Sequence, residues 1–211
     1  VDDGSKDDTV QIVKSFLDPR IQLHSNSKNI GVVKTFERAL HLAKGDLILL
    51  SDQDDLWYDN KIAVVMNIFL TQEVDLILHD AVIVNGSHII SNSLHESVTS
   101  STGLVKNIVS NTYTGCCMAF KKEILNKILP IPTRRGIFHD SWIGIMSKYY
   151  GYKVELINIP LIEWNRHGQN VSTTTRRKII NILSERLILL YSIINHVIRN
   201  YFKTTVSKQY T

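Results

Sequence analysis

The segment Ser51-Asp52-Gln53-Asp54-Asp55-Leu56-Trp57 directly follows the apolar run Leu47-Ile48-Leu49-Leu50. Three carboxylates within four residues, at the end of what reads as a buried strand, repel one another and are costly to strip of water. A chain keeps such a cluster beside its core when a cation compensates the charge. Oxygen-only donors favour a hard divalent ion, Mg²⁺ or Mn²⁺, over zinc. Such an ion, held by one or two carboxylates, completes its shell with substrate phosphates. The run therefore reads as a metal–phosphate site at a strand end. The competing reading, a solvated loop that caps the next helix, needs only one of the three acids.

Strand and helix patterns alternate through the first hundred residues. Val1 reads as a strand end, followed by a turn at Asp2-Asp3-Gly4-Ser5 and a helix to about Phe16. A short strand at 21–24 precedes Asn29-Ile30-Gly31. The apolar positions Val32, Val33, Phe36, Ala39, Leu40 and Ala43 then recur at helical spacing up to Gly45. After the acidic run the pattern predicts a helix over 59–70, strands over 75–79 and 81–84, and an Asn85-Gly86 turn into Ile89-Ile90. This alternation predicts an α/β fold with a mainly parallel sheet flanked by helices, Rossmann-like in character. In such sheets ligands bind beyond the carboxyl ends of the strands, where both acidic clusters fall.

Further on, 91–102 reads as a polar mobile loop, 113–120 as a strand, 121–129 as a helix and 140–150 as an amphipathic helix. A strand at 154–159 ends at Pro160, another covers 161–164, and a long helix spans 176–201. A break at about 172–175 separates a body, 1–172, from a helical C-terminal tail, 173–211.

Composition narrows the function classes. The 211 residues carry a net charge of only +4, with the basic residues dispersed, which argues against nucleic-acid binding. On a strand, the adjacent Cys116 and Cys117 would point to opposite faces, so they read as free thiols. No GxGxxG follows a strand, and no GxxxxGK[ST], G-x-S-x-G, HExxH or zinc-type Cys/His spacing occurs. No apolar run reaches the ~20 residues of a membrane-spanning helix. The start on Val1, without an initiator Met or a leader, suggests a fragment of a cytoplasmic protein.

Several residues have two readings. Asp2-Asp3-Gly4-Ser5 suits an Asx turn, or a carboxylate accepting from a nucleobase N–H or a ribose hydroxyl. Asp140, opening a helix after His139, is either its cap or a general base; a helix N-terminus lowers a carboxyl pKa, so the base role needs a dry site. Asn29 and Lys28 precede a helix and suit either capping or a nucleotide phosphate. The loop Asn165-Arg166-His167-Gly168-Gln169-Asn170 would close over a phosphate or supply His167 as an extra metal ligand.

These motifs together resemble the family 2 glycosyltransferases of the GT-A fold. The resemblance rests on Val1-Asp2-Asp3-Gly4-Ser5-Lys6-Asp7-Asp8-Thr9, on Asn29-Ile30-Gly31, on Ser51-Asp52-Gln53-Asp54-Asp55 as a D-x-D-type motif, and on His139-Asp140-Ser141-Trp142. The segments Thr114-Gly115-Cys116-Cys117-Met118-Ala119-Phe120 and Arg166-His167-Gly168-Gln169-Asn170-Val171-Ser172 are similar to bacterial rhamnosyltransferase-like members. The resemblance implies that Asp3 contacts the base of a nucleotide sugar, dTDP-rhamnose or a UDP-sugar, with Asp2 and Asn29 beside it. It implies that Asp52 and Asp54 lie near ribose and metal, that Asp54 or Asp55 ligates Mg²⁺ or Mn²⁺, and that Asp140 deprotonates an acceptor hydroxyl. Reaction then inverts the anomeric carbon and builds a cell-surface polysaccharide or lipid-linked glycan. The family's first strand and helix are missing before Val1, so the alternative is a catalytically inactive nucleotide-binding or interaction module. Finally, Arg176-Arg177-Lys178 leads into an apolar stripe, Ile179, Ile182, Leu183, Leu187, Leu190, Ile193, Ile194 and Val197. It reads as packing on the body or, alternatively, as peripheral contact of 176–201 with an anionic membrane.

Overall fold

The computed structural model describes residues 1–166 and 178–209, with side chains described up to 202. His167, the candidate metal ligand, and the residues up to 177 lie outside the described residues. The described elements, in chain order, are α1 (Thr9–Ser15), α2 (Val32–Leu42), β1 (Leu47–Leu49), β2 (Leu56–Trp57), α3 (Lys61–Thr71), β3 (Leu76–Asn85) and β4 (His88–Ser91). There follow α4 (Leu94–Val98), α5 (Leu104–Val109), β5 (Met118–Lys121), α6 (Leu125–Ile128), α7 (His139–Tyr149), β6 (Val154–Asn165) and α8 (Ile179–Gln209).

The sheet runs β1-β5-β3-β6-β2, with β4 folded back on β3. The α/β architecture is as expected, but its strand pairing is mixed rather than mainly parallel. Among the described strands only β3 and β6 pair in parallel, with Leu76 opposite Val154 and Ile77 opposite Glu155. β5 inserts antiparallel between β1 and β3, so that Phe120 faces Ile48 on one side and Leu76 on the other. β1, β3 and β6 thus share a direction although two of them never touch. An apolar run marks a strand but says nothing of its neighbours' directions, so the alternation alone could not reveal this insertion.

Three local expectations change. The stretch 21–24 forms no strand; a single parallel bridge joins Asp2 to Ser25. The polar stretch 91–102 contains α4, because the Ser93 hydroxyl accepts from Glu96 N–H and Asp80 accepts from both Ser93 Oγ and His95 N–H. Pro160 does not end its strand. β6 runs through it, and the register slips around Asp80 opposite Pro160, where the ladder lacks a donor.

The largest core cluster gathers β1, β3 and β5 residues with α7 around Trp142, which is fully buried and donates its Nε1–H to Ile128 C=O at 2.8 Å. α8 packs on the same core through Leu189 and Ile193. His196 Nε2 lies 2.7 Å from the Lys127 carbonyl and Arg135 pairs with Glu185 at 3.5 Å, so the helix is fastened to the body rather than hanging from it. β1 lies at one end of the sheet. A cavity of about 800 Å³ opens near it, lined by Leu40, Leu47, Met66 and Phe69 among others, and it contains none of the candidate catalytic residues.

Candidate active site

The corner built by the first turn is tightly knit. Asp2 Oδ1 and Oδ2 accept from the Ser5 and Gly4 N–H groups, an Asx turn. The Asp3 carboxylate accepts from Ile30 N–H at 2.8 Å, Gly31 N–H at 2.9 Å and Asn26 Nδ2 at 2.8 Å. It thereby ties the first turn to the entrance of α2, where Gly31 takes a φ of 86° that favours glycine. Asn29 Oδ1 also accepts from Gly31 N–H, a local turn contact. Asn26, buried and also hydrogen-bonded to Arg38, is the hub of this corner, and no sequence pattern marked it. For Asp3, burial would push the carboxyl up, but the donors from Ile30, Asn26 and Gly31 win and hold it below the usual carboxylate range. Asp2 is also lowered, chiefly by its contact with Ser5.

The acidic loop has the opposite character. It leaves β1 and returns through β2, which pairs with β6 as Leu56 opposite Glu163. Asp55 Oδ1 accepts from Asn165 N–H at 3.2 Å, while its buried Oδ2 has no partner of good hydrogen-bond geometry. Burial, then the neighbouring Asp55, Asp54 and Asp140 charges, push Asp52 up to about 6. Asp55 is raised for the same first reason, against the pull of Cys116 and Asn165. Beneath the loop lies Lys61, only 1% exposed. Its ammonium donates to the Cys116 carbonyl at 3.1 Å and stands 3.8 Å from the Trp57 ring centroid. Desolvation lowers it to about 8, against the favourable fields of the thiols, Asp55 and Asp52.

The third piece is the turn before β5. Residues Gly115–Cys117 form a 3₁₀ turn, not the strand predicted over 113–120, so Cys116 and Cys117 do not alternate across a sheet. Both are free thiols and buried. Leu50 N–H donates to Met118 C=O at 3.0 Å, and this juxtaposition sets the turn against the start of the acidic loop. Cys116 Sγ, an Asp52 oxygen and an Asp55 oxygen all lie within 4.8 Å of one another. On the other side the turn meets α7. A Cβ at Gly115 would sit 2.9 Å from His139 Nε2 and 3.5 Å from Asp140 Cβ, so only glycine permits the approach. His139 is stacked on Phe36 with ring centroids 3.7 Å apart. Asp140 accepts from Ser141 N–H at 2.6 Å, yet burial outweighs this, the His139 field and the Gly115 N–H, and its carboxyl is raised. Asp140 is half-buried, and this partly desolvated setting offsets the lowering that a helix N-terminus exerts on a base.

Asp52 and Asp55 therefore come together with Cys116, and Asp140 lies close enough for its charge to act on Asp52. Asp54, half-buried on the same loop, stands outside that group among the described residues. Cys116 and Lys61 were not anticipated. Gly115, inside an otherwise apolar stretch, is the one signal that the strand pattern breaks there. An orphaned carboxylate oxygen beside a second carboxylate and a sulfur suits a divalent cation.

Fold and geometry together define an α/β domain with a cation-competent acidic site and a desolvated carboxyl beside it. The chain belongs to glycosyl transferase family 2, whose pattern matches residues 1–129. It is 29% identical over 150 residues to the Escherichia coli UDP-Glc:alpha-D-GlcNAc-diphosphoundecaprenol beta-1,3-glucosyltransferase WfgD, covering 69% of this chain and 56% of the relative. The fold is similar to that of S. aureus TarS 1-349 in complex with UDP-GlcNAc, with a TM-score of 0.67 and 16% identity over 87% of this chain and 53% of that one. It is also similar to the mannosyltransferase PcManGT of Pyrobaculum calidifontis in complex with GDP-Man and Mn²⁺, with a TM-score of 0.54 and 21% identity over 75% of this chain and 44% of that one. The chain spans about half the length of the first curated relatives it matches.

Proposed function

We propose that this chain is the donor-binding and catalytic part of an inverting glycosyltransferase that moves a hexose from a UDP-sugar to a lipid-linked glycan. The observation that carries the reading is the raised, desolvated carboxyl of Asp140 next to a turn whose other side presents Asp52, Asp55 and Cys116. Relatives named as UDP-Glc transferases acting on a diphosphoundecaprenol-linked sugar support a UDP-hexose over dTDP-rhamnose. Asp52 and Asp55 would hold a divalent ion, and when bound that ion neutralises the donor diphosphate. Asp3 and Asn29 would line the nucleotide side, and Asp54 would serve the ribose.

In the chemical step Asp140 takes the proton of the acceptor hydroxyl. The hydroxyl oxygen bonds to the anomeric carbon as the bond to the diphosphate breaks and its electron pair leaves with the nucleotide. Asp140 is suited to this role because a carboxyl raised towards the working pH accepts a proton with less penalty than an ordinary one. The test is hydrolysis of UDP-glucose and of dTDP-rhamnose, with and without Mn²⁺, by the wild type and by Asp55→Ala. The reading expects Mn²⁺-stimulated turnover of the UDP-sugar that the substitution abolishes. Metal-independent turnover surviving Asp55→Ala would sink it.

The acceptor side is supported by α8. No described helix is long and apolar enough to cross a membrane. Nevertheless Ile180, Leu183, Leu187, Leu190, Tyr191, Ile194 and Ile198 stand exposed at three- and four-residue spacing, opposite the face docked on the core. Arg199 is exposed on the same helix and Lys178 just before its start, and Arg134 lies 5.0 Å from the Tyr191 ring. An apolar stripe flanked by cations suits the surface of an anionic bilayer, where a lipid-linked acceptor resides. Flotation with anionic and with zwitterionic vesicles checks this. Binding to the anionic set alone is expected, and Leu187→Glu with Ile194→Glu should remove it.

A further inference from the structure

A sulfur atom stands where the sequence shows only oxygen donors. We infer that the cation site at the acidic loop is a mixed oxygen–sulfur site in which Cys116 is a third ligand beside Asp52 and Asp55. This rests on the metal part of the function proposed above and deepens it.

The geometry supplies the argument. The three donor atoms lie within 4.8 Å of one another, a cluster compact enough for all three to reach one ion through metal–oxygen and metal–sulfur bonds near ~2.1 and ~2.3 Å. Cys116 is fully buried, so its thiol faces the acids instead of solvent. Its backbone is fixed from below, because Lys61 Nζ donates to the Cys116 carbonyl at 3.1 Å. Its neighbour Gly115 is fixed from the side by the close approach of α7. Asp55 Oδ2, buried and without a partner of good hydrogen-bond geometry, is a ready donor. Cys117, next in the chain, does not join the group.

Without an ion, the Cys117 contact, burial and the Asp55 and Asp52 charges all keep the Cys116 thiol protonated. A dication at the acids reverses that field, and a thiol that coordinates gives up its proton. The step balances as one thiol and one divalent ion giving a metal–sulfur bond and one proton released to solvent. A thiolate donor changes which metals are preferred. Mg²⁺ binds sulfur poorly, whereas Co²⁺, Zn²⁺ and Cd²⁺ bind it well, with Mn²⁺ between.

The test is titration of the full chain with Co²⁺, followed by near-ultraviolet absorption for sulfur-to-cobalt charge transfer and, in parallel, by calorimetry. The same is done with Cys116→Ser and Cys117→Ser, and Cd²⁺ and Mg²⁺ affinities are compared. The expected result is a charge-transfer band in the wild type and in Cys117→Ser that is absent in Cys116→Ser. The preference for Cd²⁺ over Mg²⁺ should fall at least about tenfold in Cys116→Ser. Calorimetric binding of Co²⁺ without the band, or a band that survives Cys116→Ser or vanishes with Cys117→Ser, would overturn the sulfur ligand while leaving an oxygen-bound metal intact. No heat with any of the three cations would overturn the metal site as a whole, and the sulfur ligand with it.

Discussion

Two acidic regions of this chain treat their carboxylates in opposite ways. At the first turn, Asp2 and Asp3 give both oxygens to backbone N–H groups or to Asn26, and their carboxyls lie below the usual range. At the acidic loop, Asp52 and Asp55 are left short of donors in a half-buried setting and their carboxyls are raised, as is that of Asp140. The first arrangement stabilises the fold when nothing is bound. The second costs stability until a ligand supplies positive charge. A carboxylate that the protein has satisfied is scaffold; one it has left wanting is where a ligand gains most.

Asp140→Asn tests the second region most severely. The amide keeps the shape but cannot take a proton, so turnover should fall about 10²- to 10⁴-fold while the donor KM changes little. The melting temperature should hold or rise, because a desolvated acid has been removed. A clear drop in melting temperature would instead class Asp140 with the scaffold acids.

Asp52→Asn sharpens the contrast through pH. Folded Asp52 keeps its proton up to about pH 6, whereas the unfolded chain releases it near 3.9. The folded state therefore binds more protons between these values, and this contribution to stability is present below about pH 4 and lost as pH rises through 6. Asp52→Asn should be more stable than the wild type at pH 7.5, by up to about 2 kcal/mol, with the difference gone at pH 4. Thermal melts at the two pH values measure it, and a variant less stable at pH 7.5 would contradict the scheme.

In the first region the sign reverses. Asp3→Ala leaves the Ile30 and Gly31 N–H groups and Asn26 without their acceptor, and should cost about 1–2 kcal/mol in urea unfolding. Asn29→Ala removes a single local contact to Gly31, and about 0.5 kcal/mol or less is expected. If Asn29→Ala raises the donor KM with stability unchanged, the corner has a binding role beyond its scaffold role.

Much of this was legible in the sequence because it is local. The apolar spacing over 32–43 and 59–70 emerges as α2 and α3, the helix expected over 140–150 is α7, and the acidic run does follow a strand. What escaped the sequence depends on contacts between distant segments. Lys61 reads as an ordinary solvated residue at a helix start, and only the approach of the 115–117 turn buries it. Cys116 and Cys117 open an apolar run after Gly115, so strand alternation was the natural reading; they lie instead in a 3₁₀ turn whose Gly115 makes room for α7. Asp3 was placed at the nucleotide by resemblance, and the chain's own N–H groups at 30 and 31 turn out to be its partners. Strand order and direction were invisible, since β5 reaches its place between β1 and β3 out of chain order.

The contact at Gly115 has a consequence for how such a site diversifies. Position 115 touches the helix that carries the candidate base and precedes the thiol that faces the acids, so it is the point where a new side chain would change the pocket most directly. It is also closed to any side chain, because even a methyl group meets the His139 ring. A library aimed at new donor preferences should therefore return only glycine there. Its productive variants should fall instead at Ser51 and Gln53, exposed positions of the acidic loop that the proposed metal and ribose contacts leave out.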